Sequence, residues 1–133
     1  MNPFEAAIKA GNLSAVERLA EESGLDPTKV YPGLWPSILL AAKYGSLDIV
    51  KYLIQDKGVD PETRSKDSDK SPILVAAGHG NLDIVRYLIE DHNIDPAEKN
   101  RFGESALGEA KRNKQHEVIE YLRNLHLKIN TSR

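Results

Sequence analysis

The chain has 133 residues, of which 40% are hydrophobic and 29% charged, with no cysteine and a net charge of −2 at pH 7. This length suits a single domain, and the absence of cysteine excludes a disulfide framework, a thiol nucleophile and a zinc–thiolate site. The small net charge gives no indication of nucleic-acid binding, and no run approaches the ~20 apolar residues that span a membrane. The first residues lack the basic start and apolar run of a signal peptide, so we expect an intracellular protein, in the cytoplasm or the nucleus.

A pattern with a period of 34 or 35 residues occurs four times, and such a period predicts a stack of similar units. Its two clearest copies are PSILLAAKYGSLDIVKYLI at residues 36–54 and SPILVAAGHGNLDIVRYLI at residues 71–89. The weaker copies are NPFEAAIKAGNLSAVERLA at residues 2–20 and SALGEAKRNKQHEVIEYLR at residues 105–123. Apolar residues recur at helical spacing in each copy, so each predicts a pair of short helices.

The turn between the two helices of a copy is predicted from its end residues. In the third copy we expect Ser71 to cap the first helix and Pro72 to occupy its first turn. Gly80 should then end that helix with a positive φ, which glycine tolerates best. Gly45 has the same place in the second copy, whereas Lys114 replaces it in the fourth.

The loops that join the copies begin alike, with Asp26, Asp60 and Asp95 each followed by proline. Asp-Pro favours turn initiation, so a turn is predicted at the start of each loop. The first of these loops is unusual because it ends in apolar residues, including Leu34 and Trp35, where an exposed loop is normally polar.

The first and last copies have the features of end units, which need a polar outer side because no neighbour covers it. In the first copy, the residues expected to face inward are Phe4, Ala7, Leu13, Val16 and Leu19. In the fourth copy, those expected to cover the third are Leu107, Val118, Ile119 and Leu122, and those expected to face water are Lys111, Arg112, Lys114 and Glu117.

These features together resemble the ankyrin repeat, whose motif joins Thr-Pro-Leu-His, two alanines, a glycine, a Val-Val/Leu-Leu helix and a Gly-Ala-Asp turn. The matching residues of the third copy are Ser71-Pro72-Ile73-Leu74, Ala76-Ala77, Gly80, Ile84-Val85, Leu88-Ile89 and Ile94-Asp95-Pro96. The resemblance implies an all-α solenoid of stacked helix-turn-helix units with projecting hairpin loops. We expect one domain over residues 1–127, with repeats at about 2–34, 35–69, 70–103 and 104–127, and a frayed tail at 128–133.

The resemblance also implies a non-catalytic scaffold that binds another protein through its concave face and hairpin tips, as an adaptor, escort or inhibitor. We expect no enzyme activity, no catalytic residues, no cofactor and no metal site, and a chain that is monomeric on its own. None of the four histidines has a second ligand at metal spacing in its own helix. The alternative is an enzyme, or a metal- or nucleic-acid-binding protein, whose site is assembled across repeats.

Comparison of the copies with one another suggests which residues bind a partner. Residue types that recur at one repeat position serve packing, as we expect for Tyr52, Tyr87 and Tyr121. Large residues that occur once, at positions the architecture leaves free, are candidates for binding. The candidates are Trp35, Tyr44, His79, Arg101, Phe102 and Arg112. Trp35 and Tyr44 are expected to form one patch; alternatively, Trp35 and Leu34 fold back on the first copy.

Charge is distributed unevenly along the chain. Residues 99–133 hold eight Lys/Arg and four Asp/Glu, a net charge of +4, whereas residues 1–98 hold ten and sixteen, a net charge of −6. Such a basic end could orient an acidic partner, but we favour the simpler interpretation of a solvated polar cap.

Overall fold

The computed structural model describes residues 3–22, 24, 26–30 and 35–131, with the backbone alone for residues 126–131. This part of the chain forms eight α-helices and one π-helical segment and contains no strand, so the predicted all-α class is confirmed. The helices are α1 (Pro3–Lys9), α2 (Leu13–Glu22), α3 (Ser37–Tyr44), α4 (Leu47–Lys51), α5 (Pro72–Gly78), α6 (Leu82–His92), α7 (Ala106–Arg112) and α8 (His116–Thr131). The π-helical segment, Tyr52–Asp56, continues α4 without a break. Leu34 lies outside the described residues.

The helices form two layers. Within each copy the two helices pack on each other, and the first helices, α1, α3, α5 and α7, pack side by side along the stack. The second helices, α2, α4, α6 and α8, form the other layer and contact one another less closely. Such closer packing of the first helices is what curves a repeat stack toward them, and we call their exposed side the concave face.

Small side chains allow the close approach of the first helices. Ala41, Ala42, Ala76, Ala77 and Ala110 are completely buried, with no exposed surface. Around them lies one continuous apolar core, in which the largest fully buried side chains include Ile8, Ile38, Leu39, Ile49, Leu53, Ile84 and Leu88. Burial of apolar surface at about 25 cal/mol per Å² makes this core the main source of stability. Because each copy lends side chains to it, no copy has a core of its own.

Each first helix ends in a residue with left-handed backbone. Gly45 and Gly80 have φ of 80° and 75°, which confirms the prediction. Lys114, at the matching place in the fourth copy, also has positive φ (58°), although lysine adopts it less readily than glycine. The fourth copy thus keeps the turn of the others despite its altered sequence.

The residue after this turn connects each copy to the one before. Asn81 Nδ2 donates hydrogen bonds to the carbonyl oxygens of Ala42 (2.7 Å) and Lys43 (3.2 Å) at the end of α3. The corresponding bonds run from Ser46 Oγ to the Ile8 carbonyl (3.3 Å) and from Gln115 Nε2 to the Gly78 carbonyl (3.1 Å). A Cβ atom on Gly45 would lie 2.8 Å from Asn81 Oδ1, so glycine also makes room for this contact.

The predicted turns after the second helices are present. In each loop the aspartate side chain accepts a hydrogen bond from the backbone N–H two residues later. The donors are Thr28 to Asp26 (2.9 Å), Glu62 to Asp60 (2.8 Å) and Ala97 to Asp95 (2.9 Å). The same local bond at the same repeat position gives the loops a common start.

One prediction about an element end is wrong. Ser71 occupies the position before α5, but its side chain makes no capping hydrogen bond; it is buried, and Pro72 already removes one of the free amides there. In the fourth copy Ser105 does cap α7, since its Oγ accepts from Gly108 N–H at 3.1 Å. Residues 128–131, assigned above to a frayed tail, continue α8.

The end copies have the predicted two sides. In the first copy Phe4, Ala7 and Val16 are buried and Leu13 and Leu19 half-buried. In the fourth, Val118 and Leu122 are buried and Leu107 and Ile119 half-buried. Its four residues expected to face water, Lys111, Arg112, Lys114 and Glu117, are all exposed.

The three repeated tyrosines are not equivalent, and this yields a test. Tyr87 Oη bonds to Gln55 Nε2 (2.9 Å), in the π-helical segment, and to His92 Nε2 (2.8 Å), whereas the buried Tyr52 Oη has no hydrogen-bond partner among the described residues.

Tyr87→Phe should lower the free energy of unfolding by about 1–2 kcal/mol, because it breaks satisfied bonds. Tyr52→Phe should leave it unchanged or raise it, because it removes an unpaired buried hydroxyl. Urea denaturation measures both; equal losses would contradict the assignment.

Candidate functional site

The six predicted binding residues lie at the ends of first helices and in the loops before them, and they form three groups. Tyr44 belongs to the first group, at the ends of α1 and α3. Trp35 and His79 belong to the second, a groove over α5. Arg101, Phe102 and Arg112 belong to the third, around the last loop and α7.

Tyr44 lies between two lysines. Lys9 Nζ is 5.9 Å and Lys43 Nζ is 5.4 Å from the centroid of its half-buried ring, close enough for cation–π attraction. Lys9 and Lys43 occupy the same repeat position, 34 residues apart, and both are exposed. Among the described residues neither has a carboxylate within 4 Å. We call Lys9, Lys43 and Tyr44 the basic cluster.

Trp35 and His79 line one groove of 260 Å³, which we call the Gly78 groove. Leu74 and Val75, only 3% and 4% exposed, contribute apolar surface to it. The other lining residues are Lys70, Gly78, Glu109, Asn113 and Gln115. Gly78 has no side chain at the repeat position where the other copies carry Lys9, Lys43 and Arg112, and this leaves space on the concave face.

Trp35 thus shares this groove with residues of the third copy. It also lines a second groove, of 450 Å³, that reaches Arg64 and Lys66 in the next loop. Tyr44 lines neither groove, so the predicted pair of Trp35 and Tyr44 is divided between two neighbouring sites.

The charge state of His79 follows from this position. Burial of the imidazole on one side lowers its pKa below the usual 6.5, and the positive charge of Lys43 lowers it further. His79 is therefore mainly neutral near pH 7, and it offers the groove an imidazole with one donor and one acceptor nitrogen.

Arg112 belongs to a network of four charges. Lys70 Nζ lies 3.1 Å from both Glu104 Oε2 and Glu109 Oε1. Arg112 Nη2 lies 3.2 Å from Glu104 Oε2 and also pairs with Glu109, so both carboxylates are shared by both cations. Arg112 thus has its charge balanced within the protein, and these hydrogen bonds raise its pKa.

Glu104 is held in its ionised form. Its side chain accepts a hydrogen bond from Asn100 Nδ2 at 2.8 Å. This bond, with those from Lys70 and Arg112, lowers the pKa of Glu104 from 4.5 to about 2.

Arg101 and Phe102 lie at the tip of the last loop. Arg101 Nη2 donates to the Lys66 carbonyl oxygen at 2.8 Å, and its backbone N–H donates to Asp69 Oδ2 at 2.8 Å, so Arg101 joins two neighbouring loop tips. The guanidinium lies 5.0 Å from the Phe102 ring centroid. Phe102 itself is 59% exposed, and Val30, at the first loop, is 56% exposed.

The candidates chosen from the sequence did not include Lys9, Lys70, Glu104 and Glu109. Glu109 had a visible sign, because it stands where the third copy has the buried Val75. Lys9 gave no such sign, because it lies in an end copy and its contact with Tyr44 of the next copy forms only in the stack.

Comparison with known protein families places the whole described stack among repeat proteins. A family model for ankyrin repeats, in three copies, matches residues 38–133, and a second model for ankyrin repeats, in many copies, matches residues 4–54. No curated protein matches the chain. Within the described ranges, no three His, Asp or Glu side chains are grouped so that they could hold a metal ion. No helix of the described residues combines the length and apolar character needed to cross a membrane.

The charge network predicts a defined pH dependence. Because the pKa of Glu104 is lowered to about 2, its stabilising contribution is complete above pH 4.5 and is lost as the pH falls toward 2. Glu104→Gln should therefore lower stability at pH 7 and weaken its decline between pH 4.5 and pH 2. Urea denaturation across this range measures the effect, and Glu62→Gln, at an exposed loop position, is the control. Parallel curves for wild type and Glu104→Gln would contradict the network.

Proposed function

The chain belongs to the ankyrin repeat family, and on this premise we propose that it is a non-catalytic scaffold that binds another protein through its concave face and hairpin tips. Ankyrin repeats are generally protein–protein interaction modules. The roles that such binding would serve are those of an adaptor, an escort or an inhibitor. The proposal includes a monomeric chain in the cytoplasm or nucleus.

The observation that carries this proposal is the presence of large side chains where the stack does not require them. Trp35 has Lys70 and Glu104 at its repeat position in the next copies. Tyr44 has Ala10, His79 and Asn113 at its position. The other copies form their helix pairs without an aromatic residue at these positions, so the repeat itself requires neither ring. Aromatic residues of this kind are enriched among residues that dominate binding energy.

The loop tips support the same proposal. Phe102 and Val30 expose more than half of their surface, so both apolar side chains are available to a partner. Arg101 fixes the tip that carries Phe102 by its bonds to the neighbouring loop, so the ring is presented on a rigid support. A preorganised contact loses less conformational freedom on binding.

The exposed outer side of the fourth copy supports the monomer. Lys111, Lys114 and Glu117 would have to be desolvated if another copy continued the stack. The alternatives of an enzyme, or of a metal or nucleic-acid site, have no specific observation in their favour.

Truncation of both aromatic residues tests the proposal. Trp35→Ala combined with Tyr44→Ala should abolish most capture of a partner protein from cell extract, because one buried hot-spot residue is worth ~2 kcal/mol or more, about thirtyfold in affinity. The melting temperature should change little, since the stack does not need either ring.

Tyr121→Ala is the matched control, because it removes a half-buried ring from the second-helix layer. It should leave partner capture unchanged. If the double variant unfolds while its folded fraction still captures the partner, Trp35 supports the fold and the binding site lies elsewhere.

A further inference from the structure

From the charges and the shape of the concave face, we infer that the partner segment is an acidic peptide with one apolar side chain. Its carboxylates would lie at Lys9 and Lys43 of the basic cluster, and its apolar side chain would lie in the Gly78 groove. This inference rests on the proposed function and names the chemistry of the partner.

The first support is the difference between balanced and unbalanced cations on one face. Lys70 and Arg112 each contact two carboxylates, those of Glu104 and Glu109. Lys9 and Lys43, in the first two copies, have no carboxylate within 4 Å among the described residues. Because no described carboxylate neutralises them, these two lysines are available to acidic groups of a partner.

The second support is the way in which Tyr44 arranges these two lysines. Both ammonium groups lie within 6 Å of its ring centroid, so cation–π attraction favours positions of the two lysines near the ring. Because the lysine side chains are partly ordered before binding, they lose less conformational entropy when a carboxylate binds. The ring also leaves an apolar surface beside the charges.

The third support is the shape of the Gly78 groove. Leu74 and Val75, with Trp35, provide apolar surface, while Lys70 and Glu109 provide polar surface. An added Cβ at Gly78 would lie 3.5 Å from Glu109 Oε2 and 3.5 Å from Asn113 Nδ2, which is ordinary contact. The fold would thus tolerate a Cβ atom at position 78. Because glycine has none, the groove keeps space for an apolar side chain of a partner.

The spacing of these sites defines the peptide. Lys9, Lys43 and Gly78 occupy one repeat position in three successive copies. Packed helices lie about 8–10 Å apart, and an extended peptide advances about 3.3 Å per residue, so one copy corresponds to about three peptide residues. The matching segment carries acidic residues three apart and a leucine-like residue three further on, in either direction.

Two terminally blocked peptides serve as probes: Glu-Ser-Ser-Glu-Ser-Ser-Leu and its reverse. We expect at least one of them, titrated into the ¹⁵N-labelled full chain at low salt, to shift the amide signals of Lys43, Tyr44, Gly78 and His79. Replacing Glu by Gln in the peptide, or raising the salt concentration, should weaken binding strongly. Failure of both acidic peptides to bind, or equal binding of the Gln peptides, would overturn the inference.

Matched protein variants locate the contact. Lys9→Gln with Lys43→Gln should weaken the acidic peptide about tenfold, because two partly exposed charge contacts are lost. Lys111→Gln with Lys114→Gln makes the same change in net charge at the far end of the stack and should change affinity less than about twofold, since separated exposed charges are screened. Equal weakening by the two pairs would mean that only overall charge matters, and would overturn the proposed site.

Gly78→Lys separates the groove from the charges. It adds a cation to the face and should strengthen binding if charge alone acts, but it also fills the groove. In wild type, the peptides that carry Leu should bind more tightly than the same peptides with Ser in place of Leu. We expect Gly78→Lys to abolish this difference in affinity. A difference that is retained would overturn the groove assignment. Should the peptides fail while partner capture still depends on Trp35 and Tyr44, the proposed function stands and only the acidic chemistry is wrong.

Discussion

The close packing of each first helix on the one before it is the interaction on which the rest of this structure depends. Fully buried alanines bring α3, α5 and α7 together, and the side chain after each turn joins its copy to carbonyl groups of the preceding one. Because no copy has a core of its own, stability arises from contacts between neighbours, as expected for a repeat array. The same packing curves the stack and so creates its concave face.

Because the contacts between copies stabilise the fold, positions that do not take part in these contacts are free to vary. The position of Val75 is buried against the stack, yet the fourth copy places Glu109 there and balances it with Lys70 and Arg112. The position of Lys9 and Lys43 points away from the core, so it tolerates lysine, glycine or arginine. Positions of the first kind hold neighbouring copies together, and positions of the second kind are available to a partner.

The sequence predicted what depends on periodicity and could not predict what depends on pairs of copies. The helix pairs, the buried alanines and the positive φ of Gly80 follow from a residue type and its repeat position. The charge network could not be predicted, because Lys70 and Glu109 meet only when two copies are stacked. The ion pairs of Arg112 could not be predicted either. Arg112 was expected to be free for binding, but Glu104 and Glu109 neutralise its charge within the protein. The contact of Lys9 with Tyr44 could not be predicted for the same reason, because it joins two copies.

The central claim is that contacts between copies stabilise the fold while the basic cluster remains free for binding. The most direct measurement compares the unfolding free energies of Asn81→Ala and Lys43→Gln by urea denaturation. Asn81→Ala breaks the bonds to the Ala42 and Lys43 carbonyls and should cost about 1 kcal/mol, because two hydrogen bonds between copies are lost. Lys43→Gln changes an exposed side chain and should stay within about 0.5 kcal/mol of wild type. A larger loss for Lys43→Gln than for Asn81→Ala would contradict the account.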